Sequence, residues 1–571
     1  MNQSLAQKGH PKGLYILFAT EMWERFNYYG MRAILVLFMT KALLFDDVFA
    51  SHLYGSYTSL VYLTPLIGGY ISDRYWGNRR SIIAGGIVMA IGEFILFFCG
   101  TFYNSSQQLS SLLFFTGLGF MIAGNGFFKP NISSMVGQLY PKNDRRIDPA
   151  YTIFYMGINT GGAIGPFICG LVGDTGNPAD FRWAFLAAGI GMSISVIVQK
   201  LFQQKYVVDP ENKVLGLTPP GSPKKIISPI VIVTGLLVFS AITVGLIYID
   251  AKIFSYLTYL LLAAPIIIAI IIFSDKSLNT SQKKQVAVIF IVSFFVIFFW
   301  SAFEQAGASL TFFADRQTQR EVGLKIPLWL IYVLSAVVLY YFVSLWKKVL
   351  KNLAGPYHRE LRITVLSLLF ILIAGILISD IYLFVQGKSY MPLKEIPASW
   401  FQSLNSVFVV SFAPIFAWLW IKLGKREPAS PTKMAMGLLL LALGYLWIAF
   451  GVKDAGPGIK VSMIWLTGMY ALHTCGELCL SPIGLALTNK LAPLKFASLL
   501  MAVWFLANAI ANKLAGALSA LYPDKGRITS FLGYHMGNKY EFFMLFVFMA
   551  GIASLILFLL TKRLQKMMRG E

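Results

Sequence analysis

Residues 82–100 read IIAGGIVMAIGEFILFFCG, and residues 229–249 read PIVIVTGLLVFSAITVGLIYI. Each run is close to the ~20 apolar residues that an α-helix needs to cross ~30 Å of hydrocarbon. Such runs recur along all 571 residues, of which 57% are hydrophobic and only 13% charged, against about a quarter charged in an ordinary soluble domain. The fold class is therefore an all-α polytopic membrane protein. Spans are predicted over 14–39, 51–73, 80–101, 109–130, 150–173, 182–201, 228–249 and 254–273, then 285–313, 326–346, 362–385, 399–421, 433–451, 461–488, 497–519 and 541–561, about 16 transmembrane helices.

The formal net charge of +22 raises the question of nucleic acid. Its placement answers it. With a cytoplasmic N-terminus, the inside segments include DRYWGNRR, YPKNDRR, PGSPKK, WKKVLKNLAGPYHRELR, KLGKREPASPTK and TKRLQKMMRG. They carry about 31 of the 48 Lys and Arg, against about 13 outside and about 4 in the membrane. This is the positive-inside signature of an integral plasma membrane protein (inner membrane in a Gram-negative cell) with both termini cytoplasmic, and no nucleic-acid partner is expected. Residues 1–13 are short and polar and give no cleavable signal.

The Pro- and Gly-rich segment 203–225 divides the chain after six helices. Two apolar helices follow (228–273), almost without charge, and are expected to face lipid. A second such pair, 326–346 and 362–385, is joined by a basic turn. Subtracting both pairs leaves six helices on each side, the major facilitator arrangement of two bundles around a central site. The expected division is an N-terminal six-helix bundle (1–202), a linker with an inserted pair (203–284), and a C-terminal six-helix bundle (285–571) containing the second pair at 326–385.

The first span contradicts its own surroundings. Residues 21–30 read EMWERFNYYG. At 100° per residue, Glu21, Arg25, Tyr28 and Arg32 lie within about 60° of one another, with Glu24 and Tyr29 flanking the stripe. An ionised side chain at the bilayer centre costs on the order of 3 kcal/mol on insertion scales, so the stripe faces protein or water. Either a structural ion-pair seam or a path for substrate and protons fits. Other buried polar candidates are Lys129 before Pro130, Asn159 in FYMGINTGG, Trp300 and Glu304 in FFWSAFEQAG, Asn405 in SWFQSLN, Glu477 in TCGELCLSPIG, and Trp504. The cations Arg25, Arg32 and Lys129 fall in the first half, and the carboxylates Glu304 and Glu477 in the second. That asymmetry suits a dipolar ligand, its carboxylate against the cationic half and its amine near a glutamate, with Asn159 and Asn405 free to bond a peptide unit. A glutamate that gains and loses a cation partner takes up and releases a proton, and one proton crossing 100 mV supplies about 2.3 kcal/mol, enough to concentrate a neutral solute about fifty-fold.

ExxERFxYYG, GFFKPN, FYMGIN, FFWSAFEQ, SWFQSLN and GELCLSPIGLALTNKLAP, in that order along both halves, resemble the proton-dependent oligopeptide transporter family of the major facilitator superfamily. The resemblance implies a proton-coupled importer of di- and tripeptides. It implies proton coupling by Glu21, Glu24 and Arg25, a gating salt bridge between Arg25 and Glu304, and a Lys129–Glu477 pair across the site. The peptide carboxylate would meet Arg25, Arg32 and Lys129, its amine Glu477, with Asn159 and Asn405 nearby. Tyr28, Tyr29, Tyr62, Trp300 and Trp504 would shape the side-chain pockets. An apolar pair between the halves, here 228–273, is similar to that of bacterial members. The 326–385 pair departs from the family pattern and is expected to pack peripherally.

Other classes remain open at this point. No H-E-x-x-H or G-x-S-x-G supports an intramembrane enzyme, and the five histidines are scattered (His10, His52, His358, His473, His535). Cys475 and Cys479, one turn apart, lack further ligands for a metal. No cofactor is expected beyond the proton as coupling ion. A peptide-binding sensor that does not transport, or a carrier of nitrate, drugs or another small solute, are the alternatives. A monomer is expected, with the inserted helices as the surface for any oligomer.

Overall fold

The computed structural model describes residues 9–141, 144–218, 228–252, 255–352, scattered positions from 366 to 387, 389–456, 458–524 and 526–570. The basic turn read within 347–362 therefore lies mostly outside the described residues, as do His358 and the PPGSPKK end of the linker. The helices are α1 (Lys12–Lys41), α2 (Asp47–Ile71), α3 (Asn78–Phe102), α4 (Gln107–Gln138), α5 (Ile147–Gly173), α6 (Phe181–Tyr206), α7 (Pro229–Lys252), α8 (Tyr256–Ser274), α9 (Thr280–Phe303), α10 (Ser309–Arg316), α11 (Leu328–Asn352), α12 (Phe401–Leu423), α13 (Ser430–Val452), α14 (Met463–Leu491), α15 (Ala497–Ser519) and α16 (Lys539–Met568). Among the described residues twelve helices are long and apolar enough to cross a membrane. The polar-striped α1, together with α2 and α14, is not among those twelve.

Local sequence sets the helix starts. The Asp46 carboxylate accepts from the Val48 amide (3.0 Å) to open α2, and Asn279 and Gln282 form a reciprocal capping box at α9. Small residues then set the packing. A Cβ on Gly68 of α2 would stand 2.0 Å from the Gly126 carbonyl oxygen of α4, so the two backbones touch there. Pro130 does not end α4 as its sequence position suggests; the helix runs on to Gln138. Asn131 donates to the Phe127 carbonyl (2.6 Å) beside the proline, and the glycine-lined crossing with α2 holds that stretch of α4 in place.

Helices α1–α6 pack on one another, and so do α9 and α13–α16, with α12 against both α14 and α5. The two groups meet through α2 on α15 and α5 on α12. At the first crossing a Cβ on Gly55 would lie 2.8 Å from the Gly516 Cα, and Ser59 donates to the Ala509 carbonyl (2.8 Å). Ion pairs reinforce the contact towards the end of the bundle where α1 finishes: Lys41 with Asp315 (2.7 Å), and Arg316 with Asp47 and Asp524 (both 2.6 Å).

Helices α7 and α8 expose many apolar side chains, as a lipid-facing pair should. They are not free of working polar groups, however. Asp250, buried near the end of α7, fell just beyond the span read over 228–249. The segment read as the second inserted pair, 326–385, is flanked by the two strands of an antiparallel ribbon, Glu321–Pro327 against Tyr390–Glu395. Beyond it, Phe342, Leu345 and Val349 of α11 pack with Leu369 on Ile194, Val198 and Leu201 of α6, and Trp23 of α1 lies against the same cluster.

Candidate functional site

The stripe on α1 is buried along its whole length, with Glu21, Glu24, Arg25, Tyr28 and Arg32 all under a tenth exposed. Its lower part is an ion-pair cluster: Arg25 Nε lies 2.7 Å from Glu21 Oε1 and 2.9 Å from Glu24 Oε2. The Tyr28 ring flanks Arg25 (5.9 Å to the centroid) and the Tyr29 ring flanks Arg32 (5.8 Å). Such rings shield the guanidinium while leaving its charge intact.

Arg32 adds a buried link between the two helix groups. Its guanidinium pairs with Glu304, and its Nε donates to the Tyr54 hydroxyl of α2 at 2.5 Å. Glu304 sits where the seventh core span, read as one helix over 285–313, breaks into a 3₁₀ turn (Glu304–Gly307) between α9 and α10. Gln305 fixes that break. It donates to the Ala515 carbonyl (3.1 Å) and accepts from the hydroxyls of Ser309 and Ser519 (both 2.6 Å), which ties the turn to α15. Gly307 faces the Tyr54 ring so closely that a Cβ there would collide with its hydroxyl.

Two pairings implied by the resemblance are corrected. Arg32, not Arg25, holds Glu304, because Arg25 is already taken by Glu21 and Glu24 two turns earlier on the same helix. Lys129 forms no ion pair with Glu477 among the described residues. Its ammonium stands 4.3 Å from the centroid of the Tyr62 ring, within electrostatic reach of Glu24 and Arg25. Glu477, buried on α14, accepts instead from Asn405 Nδ2 of α12 (2.8 Å), which also bonds the Thr474 hydroxyl (3.1 Å). Asn159 spends its amide on the Tyr155 carbonyl of its own helix (2.9 Å). Trp300 packs edge-on to Phe303 (5.1 Å), and Trp504 is buried against Gly484, where no side chain leaves it room.

A family comparison decides what this arrangement belongs to. The POT family model matches residues 79–379 and 382–534. The chain belongs to the POT family. A peptide transporter from Yersinia enterocolitica is 31% identical to this POT-family chain over 89% of it and 88% of the relative. A di-/tripeptide transporter from Lactococcus lactis subsp. cremoris is 29% identical, covering 98% and 97%. The crystal structure of a peptide transporter of the same family, a glutamate-to-glutamine variant bound to alafosfalin, superposes with a TM-score of 0.72 at 28% identity, covering 99% of this chain and 97% of that one. With these neighbours and its apolar helices, the POT-family chain is an integral membrane protein.

Several working residues escaped the sequence reading. Glu93, fully buried on α3, takes a hydrogen bond from Asn27 (2.9 Å), and its signal was one acid in the apolar run 82–100. Tyr54 and Gln305 were not singled out: Tyr54 lies in none of the quoted motifs, Gln305 only closes FFWSAFEQ, and the partners that give them a role sit on other helices.

Proposed function

We propose that this POT-family chain is a proton-coupled symporter that imports di- and tripeptides by alternating access between its two six-helix bundles. The proposed topology has about 16 spans, the divisions 1–202, 203–284 and 285–571, the pairs 228–273 and 326–385 as additions, and both termini in the cytoplasm. The end bearing Lys41 is then external. The observation that carries the reading is the Arg32–Glu304 pair: a buried charge pair joins the two bundles at the level of a helix break. Breaking it by protonating Glu304 costs the bundles their central contact and lets the external end part. The charge balance supports the same reading. Three cations (Arg25, Arg32, Lys129) stand against four carboxylates (Glu21, Glu24, Glu304, Glu477), with Glu93 buried beyond Asn27, so carboxylates outnumber cations and the set can hold a proton.

In the proposed cycle Glu21 and Glu24 take up and release the coupling proton beside Arg25, which stays charged and serves the coupling as their partner, and Arg32 is released to the peptide carboxylate when Glu304 is protonated. Lys129 adds a second cation for that carboxylate. The peptide amine meets Glu477, which Asn405 holds in place. Tyr28, Tyr29, Tyr62, Trp300 and Trp504 line side-chain pockets, and Asn159 bonds the peptide unit once its own helix lets it go. The proton is the coupling ion, with no resident cofactor, and the monomer is the working unit in the plasma membrane.

The reading is tested by uptake of labelled dialanine into proteoliposomes with acid outside and a negative interior. Concentrative uptake that collapses when the gradient is dissipated is the expected result. Binding of dialanine without uptake or exchange would instead identify a sensor, and no binding at all a carrier of another solute. A sharper test concerns the amine. Replacing Asn405 by leucine removes a hydrogen bond to a carboxylate, worth about 1.5–3 kcal/mol, and is expected to raise the half-saturation concentration for dialanine at least tenfold. N-acetyl-dialanine, which lacks the ammonium group, should bind weakly to both proteins and show no such difference.

A further inference from the structure

Asp250 lies two residues before the end of α7, and its side chain is wholly enclosed. Three elements converge on its carboxylate: the Lys513 ammonium of α15, the Ser56 hydroxyl of α2 (2.6 Å) and the Leu257 amide in the first turn of α8 (3.0 Å). Lys513 also donates to Ser56 (2.7 Å), closing the cluster. The node stands beside the Gly55–Gly516 contact, where the backbones of α2 and α15 touch. A cavity of about 360 Å³ lies next to it, lined in part by Phe49, His52 and Lys252.

The two helices of this pair are anchored to different bundles. Helix α7 packs on α4 and α2, with Thr243 donating to the Gly119 carbonyl (2.7 Å), whereas α8 packs on α15. We propose that the Asp250–Lys513–Ser56 cluster is a latch, by which the pair 228–273 holds α2 and α15 together at the Lys41 end. When α2 and α15 separate, Asp250 stays with α7 and the α2 bundle and loses Lys513. A buried carboxylate stripped of its cation is strongly disfavoured, so the cluster resists opening. The pair thereby becomes a conformational strut as well as a lipid-facing hairpin. The latch rests on the alternating-access part of the proposed function and is independent of which solute is carried.

The test measures the opening itself, with no substrate present. Dyes carried on non-natural side chains at the exposed positions Leu44 and Leu532 report the separation of the bundles at the Lys41 end, in the full chain in nanodiscs. Asp250→Asn and Lys513→Gln are each expected to raise the open fraction about tenfold, the effect of one lost charge-assisted hydrogen bond. The double variant should add little, because the two groups act as a unit. Ser56→Ala should give a smaller increase in the same direction, and it carries the test with Lys513→Gln if Asp250→Asn does not fold. Unchanged distributions in both charge variants overturn the latch when Arg316→Gln, which cuts the separate contact with Asp47, still shifts them. If Arg316→Gln is also without effect, alternating access at this end fails and the latch fails with it.

Discussion

Glu304→Gln is expected to abolish gradient-driven uptake while leaving peptide exchange across the membrane measurable. The substitution keeps the shape of the side chain but leaves Arg32 buried beside an amide, with the Tyr54 hydroxyl and the Tyr29 and Tyr54 rings as its other described partners, none of them charged. Removing one member of a buried pair costs about 3–5 kcal/mol, because the remaining charge has no compensation. Here the cost falls on the state in which the bundles meet around Arg32. The glutamine also cannot bind and release a proton, so the step that would reset the pair is lost. Concentrative uptake in proteoliposomes should fall by at least a hundredfold, and counterflow of labelled against unlabelled dialanine should persist at a tenth or more of its original rate. Loss of counterflow in folded protein would mean that Glu304 holds the peptide and not the gate.

Gly55→Ala is expected to damage transport more than stability, and Gly68→Ala the reverse. Both positions lie on α2, and both face backbone at distances no Cβ tolerates, 2.8 Å to the Gly516 Cα and 2.0 Å to the Gly126 oxygen. Backbone cannot step aside as a flexible side chain does, so overpacking costs about 1–3 kcal/mol or more at each. The difference lies in what each contact joins. Gly68 packs α2 on α4 inside one bundle, a contact the protein keeps throughout. Gly55 packs α2 on α15 of the other bundle, a contact made only when the Lys41 end is closed. The alanine at 55 should therefore leave the melting temperature in detergent within about 2 °C of the parent and reduce uptake about ten- to a hundredfold. The alanine at 68 should lower the melting temperature by several degrees. Equal melting temperatures for the two would show that both crossings are permanent.

The charged face of α1 was legible because helical period places Glu21, Arg25, Tyr28 and Arg32 on one side, and because charges in an apolar span need partners. The period gives the face and not the depth. Arg25 and Arg32 point the same way, so which of them meets Glu304 depended on where α9 breaks, and no proline marks that break. It is set by Gln305 reaching across to Ser519 and the Ala515 carbonyl, partners more than 200 residues away in sequence. The Lys129–Glu477 pairing failed for a related reason, since Tyr62 and Asn405 occupied the two groups first and neither competitor is charged. Asp250 was overlooked because an acid near the end of a span looks like an interfacial charge. Its burial comes from Lys513 and Ser56, on helices that only the tertiary fold brings to it.

The ribbon formed by Glu321–Pro327 and Tyr390–Glu395 gives the segment beyond it an unusual mechanical position. Its root is in the C-terminal part of the chain, yet α11 rests on α6 and reaches Trp23, the neighbour of Glu24 on α1. A rocking stroke of the bundles cannot leave both attachments undisturbed. Either the apolar seam between α11 and α6 slides, or the ribbon bends, and a two-stranded ribbon is the more compliant of the two. In the proposed alternating-access cycle, the ribbon is therefore the place where a swing of the bundles would be taken up, and its compliance would bear on how far they move.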